Sequence, residues 1–197
     1  MLPRSIKQSL SIAALICLSG VAPIHAQDAS QLGFSDLQAQ ANQLVEAGQL
    51  EQAMPFLEEL IKRVEATDNS EIKLDFPILL LGTAHIQRFV TTQNARELNQ
   101  TLVWYTKLEK DYPNSPKMKD AMLKKVDVLR ILKCEDEAVA LMKQLLDGTY
   151  SFRLNLKQES KLLRDLTQIH YNKGDWKDGL PIFTKLLNTS RDFEDQA

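Results

Sequence analysis

Apolar residues return every three or four positions through most of this chain, in eight separate stretches between residues 35 and 188. Leu50 to about Glu65 shows it well, because Ala53, Leu57, Leu60, Ile61 and Val64 share one face of a 3.6-residue period. Gly48 ends the preceding stretch, which Ser35-Asp36-Leu37-Gln38 opens as a capping box: Ser35 accepts from the third helical amide and Gln38 reaches back. Two antiparallel helices joined by a tight turn follow from that pattern. The unit recurs three times. Ile78, Leu81, Gly82, His85 and Phe89 mark one helix, paired with Ala95 to Asp111, which Pro113 stops. Lys117 to Leu132 pairs with Glu135 to Asp147, closed by Gly148, and Lys157 to Lys173 pairs with Trp176 to Asn188 across Gly174-Asp175, with Asp175 placed to cap the last helix. Tyr150, Phe152, Leu154 and Leu156 alternate like a strand, but a lone strand has no partner, so an extended packed loop is expected.

The first 26 residues follow a different rule. Arg4 and Lys7 precede a mostly apolar run from Ser9 to Ile24, and Ile24-His25-Ala26 offers a cleavage site before Gln27, the pattern of a secretory signal. The run is too short and too interrupted for a membrane span, and the mature chain is expected to have no transmembrane segment. Bulky Ile16 before Cys17 argues against a lipid anchor. The expected organisation is therefore a signal at 1–26, a linker at 27–34, a helical repeat domain at 35–188 and a polar tail at 189–197.

Composition agrees with helices: 44% hydrophobic and 25% charged residues fit a packed domain, and 7 Gly with 7 Pro leave few obligatory turns. Without the leader, 24 basic residues less Arg4 and Lys7 leave 22 against 26 acidic ones, a formal charge of −4. A mildly acidic domain lacks the basic footprint that nucleic acid requires, so no nucleic-acid partner is expected. Cys134 is left without an intrachain partner, and an oxidising compartment gives this fold no disulfide.

Superposing the four units exposes a repeat. The stretch YNKGDWKDGLPIFTKLL, residues 171 to 187, resembles the turn and second helix of a tetratricopeptide repeat, with Gly174, small Gly179, large Phe183 and apolar Leu186 at the family's spacing. The first unit matches with Gly48, Ala53, Leu57 and Leu60, the third with Ala138, Met142 and Leu145 but with Lys133 in the glycine position, and the second with Thr101, Tyr105 and Leu108 before Pro113. Intervals between the large residues, Leu57, Tyr105, Met142 and Phe183, are 48, 37 and 41, longer than the family's 34, which implies insertions such as Ala66 to Phe76 and Thr91 to Asn94. The segment DYPNSPKMKDA, residues 111 to 121, looks like the junction between repeats in bacterial cell-envelope members of the family. The resemblance implies an all-α fold: antiparallel hairpins stacked as a right-handed α-solenoid of about four units. It further implies a non-enzymatic scaffold in the bacterial periplasm or secreted, binding a protein or peptide in the groove of its first helices. Carried over position by position, that groove is Gln38, Asn42, Phe76, Leu79, Thr83, Leu123, Asp127, Arg130, Arg164, Gln168 and Tyr171. It does not reproduce the family's carboxylate clamp, because Leu80 and Asp120 stand where polar and basic residues are needed.

For the residues able to carry chemistry, bland readings prevail. His85 and His170 align with Leu44 and Leu129 and are expected as locally bonded core residues, so no catalytic, metal or cofactor-binding residue is assigned and no cofactor is expected. No HExxH, paired CxxC, phosphate loop or nucleophile elbow occurs. Glu135, Asp136 and Glu137 suit a helix start, the cations from Lys117 to Lys133 read as a solvated face, and Trp104 and Trp176, both in second helices, read as packing or junction residues. Leu180, Phe183 and Leu187 leave the last repeat without a polar cap. Self-association there, or continuation as part of a longer array, is the alternative to a pure adaptor, and an enzyme with an unrecognised site is a third.

Overall fold

The structure, a computed structural model, describes residues 28–67 and 72–194, with side chains through Thr189. The expected signal at 1–26 lies outside the described residues. Eight α-helices follow one another: α1 (Phe34–Glu46), α2 (Leu50–Thr67), α3 (Asp75–Thr92), α4 (Ala95–Asp111), α5 (Met118–Ile131), α6 (Glu135–Leu146), α7 (Leu156–Lys173) and α8 (Trp176–Glu194). No strand occurs among the described residues. Each helix packs chiefly on its chain neighbours, from α1 with α2 through to α7 with α8. Four antiparallel hairpins therefore stack in chain order, the quasi-one-dimensional plan of an all-α solenoid.

Every hairpin turns through one left-handed residue. Gly48, Gln93, Lys133 and Gly174 adopt left-handed backbone, with φ of 72°, 55°, 60° and 67°. In three of them the next amide bonds back to the first helix: Gln49 to Leu44, Cys134 to Leu129 and Asp175 to His170. Lys133 thus does what glycine does elsewhere, against the steric preference of an L residue. Lys133→Gly is expected to stabilise the protein by about 0.5–1 kcal/mol, the relief of left-handed strain less the added freedom of the unfolded chain, measurable by urea denaturation.

The second hairpin explains the irregular spacing. Its left-handed residue lies eight positions after His85 and eight before Thr101, where the other units have four and five. α3 and α4 are thus each extended by about one turn at the tip, so the packing register below is kept. The small positions Ala53, Thr101, Ala138 and Gly179 are all buried. Of the large ones, Leu57, Tyr105 and Met142 are buried, at 2%, 0% and 0% exposure, while Phe183 on the end helix is at 43%.

Several local expectations are corrected. The capping box at Ser35 does not form: the helix starts at Phe34 with Gly33 at the cap, whose carbonyl accepts from Leu37 N at 2.9 Å, so Ser35 already lies inside the first turn. The capping box that does form joins Asn155 and Gln158 at the start of α7, where each side chain takes the other's amide. The segment taken as a linker holds a one-turn 3-10 helix, Ala29–Gln31. Arg63 on α2 pins it by donating to the carbonyls of Ala29, Ser30 and Leu32. α8 runs on to Glu194, past the expected end at Asn188, because neither glycine nor proline interrupts that stretch. Between α6 and α7 the loop is extended and packed, with Tyr150 and Phe152 stacked at 5.3 Å, as expected.

Candidate functional site

The expected groove residues lie on the first helices of the hairpins, and the structure joins those helices by side-chain bridges. Lys124 on α5 donates to the Thr83 hydroxyl on α3 at 2.9 Å, and Thr83 in turn lies 3.3 Å from the Tyr105 hydroxyl. Burial drags the Lys124 ammonium below its ordinary value, with Asp120 opposing. Burial also lifts the Tyr105 hydroxyl to about 12, so it stays a neutral hydrogen-bonding group. Farther along, Asp127 and Arg130 on α5 meet Lys161 and Asp165 on α7 at 2.6 and 2.7 Å. The first helices of the second, third and fourth units therefore form a continuous polar seam.

That seam divides the expected binding residues. Asp127, Arg130 and Thr83 are engaged in holding neighbouring helices together, and Leu79 is only 7% exposed. Leu123 is half-buried, whereas Gln38, Asn42, Arg164 and Gln168 are exposed, Gln168 donating to Asn172. Phe76 is 42% exposed under the Lys117 ammonium, 4.9 Å from its ring centroid. Tyr171 is 61% exposed and packs edge-on against Trp176, so it belongs as much to the end of the array as to the groove. The surface open to a partner is thus Phe76, Arg164, Gln168 and Tyr171, with Gln38 and Asn42 at the far end.

The α5 cations were expected on a solvated face, and most are instead links. Lys125 reaches Glu109 on α4 at 2.7 Å, and Glu109 also accepts from the Tyr150 hydroxyl. Burial raises the Glu109 carboxyl, but Lys125 and Tyr150 outweigh it and hold the group below its ordinary value. Burial and the same carboxylate push the Tyr150 hydroxyl well up. Sequence reading placed the charges but had no signal for their partners, which lie 16 and 41 residues away along the chain.

The two buried histidines turn out to be one device used twice. His85 Nδ1 lies 2.7 Å from Glu97 and His170 Nδ1 lies 3.0 Å from Asp175. Glu97 and Asp175 each stand four residues before the small position of their second helix, where units one and three carry Gln49 and Cys134 against Leu44 and Leu129. Asp175 also accepts from Asp178 N as the expected cap, and that bond, followed by His170, holds its carboxyl below the usual range. This is the locally bonded core role expected for both rings. On the second-helix side, Leu102, Leu129, Ala140, Leu141 and Cys134 line an open concavity of about 470 Å3 beside Glu109 and Lys125. Burial, then Glu137, raises the Cys134 thiol and keeps it protonated. Among the described residues no group of three or more His, Cys, Asp and Glu is placed to hold a metal ion, and no helix is long and apolar enough to cross a membrane.

The class defined by this arrangement is an all-helical repeat protein with a polar-stitched row of first helices. The chain matches no family model and no curated protein. Among solved structures it is similar to one titled "MamA RS-1 ArsTM double mutant", at 16% identity and a TM-score of 0.44, over 86% of this chain and 99% of that one. A likeness that loose bears on neither family nor function.

Proposed function

We propose that this protein is an exported scaffold of the tetratricopeptide type that binds a protein partner in the bacterial cell envelope and performs no chemistry itself. The observation that carries the reading is the first-helix row: bridges fix α3, α5 and α7 against one another, and the fixed row leaves Phe76, Arg164 and Tyr171 exposed. A rigid row with aromatic side chains and an exposed cation binds at low ordering cost. Export rests on the leader at 1–26 and predicts a mature protein beginning at Gln27, which terminal sequencing of the envelope fraction checks.

Arg164 makes no ion pair among the described residues, whereas Arg130 bridges to Asp165. Arg164→Glu is therefore expected to weaken partner binding about tenfold or more while stability stays within about 0.5 kcal/mol. Arg130→Glu sets a like charge beside Asp165 and should lower the melting temperature as well. The test is co-purification from native envelopes with mass-spectrometric identification of the partner, followed by titration of both variants. Undiminished affinity of the Arg164→Glu protein would remove the first-helix row from the binding site.

A further inference from the structure

The strongest unexplained surface lies on α8, where Trp176, Leu180, Phe183 and Leu187 form a stripe at helical spacing and are 64%, 66%, 43% and 51% exposed. Tyr171 extends it through its edge contact with Trp176. The repeat itself shows what such a stripe is built for. Met54, Leu57 and Ile61 occupy the same positions on α2 as Leu180, Phe183 and Leu187 on α8, yet they are 5%, 2% and 2% exposed. α2 is packed between α1 and α3, and Arg88 of α3 reaches the Met54 sulfur at 3.9 Å. The α8 stripe has the chemistry of an internal face of the solenoid and, among the described residues, no helix upon it.

We infer that the α8 stripe is covered by α8 of a second copy of this chain, in an antiparallel two-fold dimer. Two observations select that occupant. The four α8 side chains leave on the order of 500 Å2 uncovered per copy, so pairing two copies buries at most roughly 1,000 Å2, about the area that a specific interface must clear. The opposite end of the stack is a poor complement, because the residues that α1 exposes, Ser35, Asp36, Gln38, Asn42, Gln43 and Glu46, are polar. Only small Ala39 and, at the first residue, Phe34 interrupt that polar face. Head-to-tail stacking would bury it against the stripe, whereas tail-to-tail pairing satisfies both stripes at once and closes the assembly at two. Each dimer would carry two grooves, and a partner with two copies of the recognised element, spaced to reach both, would gain from effective concentration.

Sedimentation of the purified protein from about 1 to 100 μM, a span that brackets micromolar association, tests this. The expected result is a monomer–dimer equilibrium whose dissociation constant rises at least tenfold in Leu180→Glu and in Phe183→Glu, with unchanged far-UV circular dichroism. Leu180 is the safer of the two for folding, since it is the more exposed. In a Cys134→Ser background, Phe183→Cys is expected to give a covalent dimer on mild oxidation, and Asn42→Cys none. A monomer at every concentration overturns the proposal and leaves the stripe to a partner helix or a following segment. A dimer indifferent to both charged variants, or an Asn42→Cys/Phe183→Cys protein that oxidises into ladders beyond the dimer, overturns it equally. Partner binding at Arg164 is read in a separate titration, so either result can fail alone.

Discussion

Replacing Gly82 by alanine is expected to destabilise the protein by about 3 kcal/mol, although alanine is the better helix former by nearly 1 kcal/mol. A Cβ at this position would stand 2.2 Å from Tyr105 Cε1 and 2.7 Å from Cδ1. The ring has nowhere to go, because Tyr105 is fully buried and its hydroxyl is tied to Thr83, itself held by Lys124. In the first and third units a larger side chain at the position aligned with Gly82 goes with a smaller facing residue, Ala41 with Leu57 and Val126 with Met142, whereas on α7 and α8 Thr167 goes with Phe183, which stays 43% exposed. The pair Gly82 and Tyr105 is therefore one solution to a fixed volume. Thermal unfolding should show the single substitution lowering the midpoint by roughly 6–12 °C for a domain of this size. Adding Tyr105→Met should return much of that loss, as a coupling between contacting residues. A midpoint unchanged by Gly82→Ala would show that the α3–α4 contact is looser than these distances.

How far the sequence foretold this structure depends on the range of the interaction concerned. Helix positions were legible because they depend on neighbours three and four residues away: α4 occurs at Ala95–Asp111 as expected, and the other helices begin within a few residues of their expected starts. Turns were legible where glycine marked them and hidden where Gln93 and Lys133 took left-handed backbone without it. Polar composition after Asn188 suggests a helix end there, yet Thr189 is buried and its hydroxyl donates to the Lys185 carbonyl, so the helix continues. At the first helix, a serine with glutamine three residues on was read as a cap. Position in the helix, which local sequence does not determine to within a residue, decided otherwise.

The binding surface was less legible, for a physical reason. Alignment to a repeat names which helix positions face inward, but which of them are spent on neighbouring helices depends on contacts more than thirty residues apart. Arg130 and Arg164 look alike in sequence, and the structure gives Asp165 to one and solvent to the other. Of the two roles open to Trp176, packing or junction, the structure gives the second: it opens α8, is 64% exposed and meets Tyr171 edge-on. The exposed stripe on α8 was legible from Leu180, Phe183 and Leu187, which repeat the spacing of Met54, Leu57 and Ile61 on α2.

The junction between the second and third units should also weaken in acid, and Glu109 is the reason. Its carboxylate holds Lys125 on α5 and the Tyr150 hydroxyl in the following loop, so one side chain ties α4 to two later segments. Glu109→Ala leaves an ammonium that is 15% exposed and a half-buried phenol without their acceptor, and should cost about 2–3 kcal/mol at neutral pH. The figure lies below that of a fully buried pair because Glu109 retains 30% exposure. The carboxyl is held below its ordinary value of 4.5 despite burial. The folded state thus favours the charged form more than the unfolded chain does, and this contribution is complete above pH 4.5 and disappears as pH falls through the lower folded value. Urea denaturation from pH 7 to pH 3 should find wild type and Glu109→Gln separated at neutral pH and converging below the carboxylate range, where both carry an uncharged group. A constant separation across that range would mean that the Lys125 contact contributes through packing and not through charge.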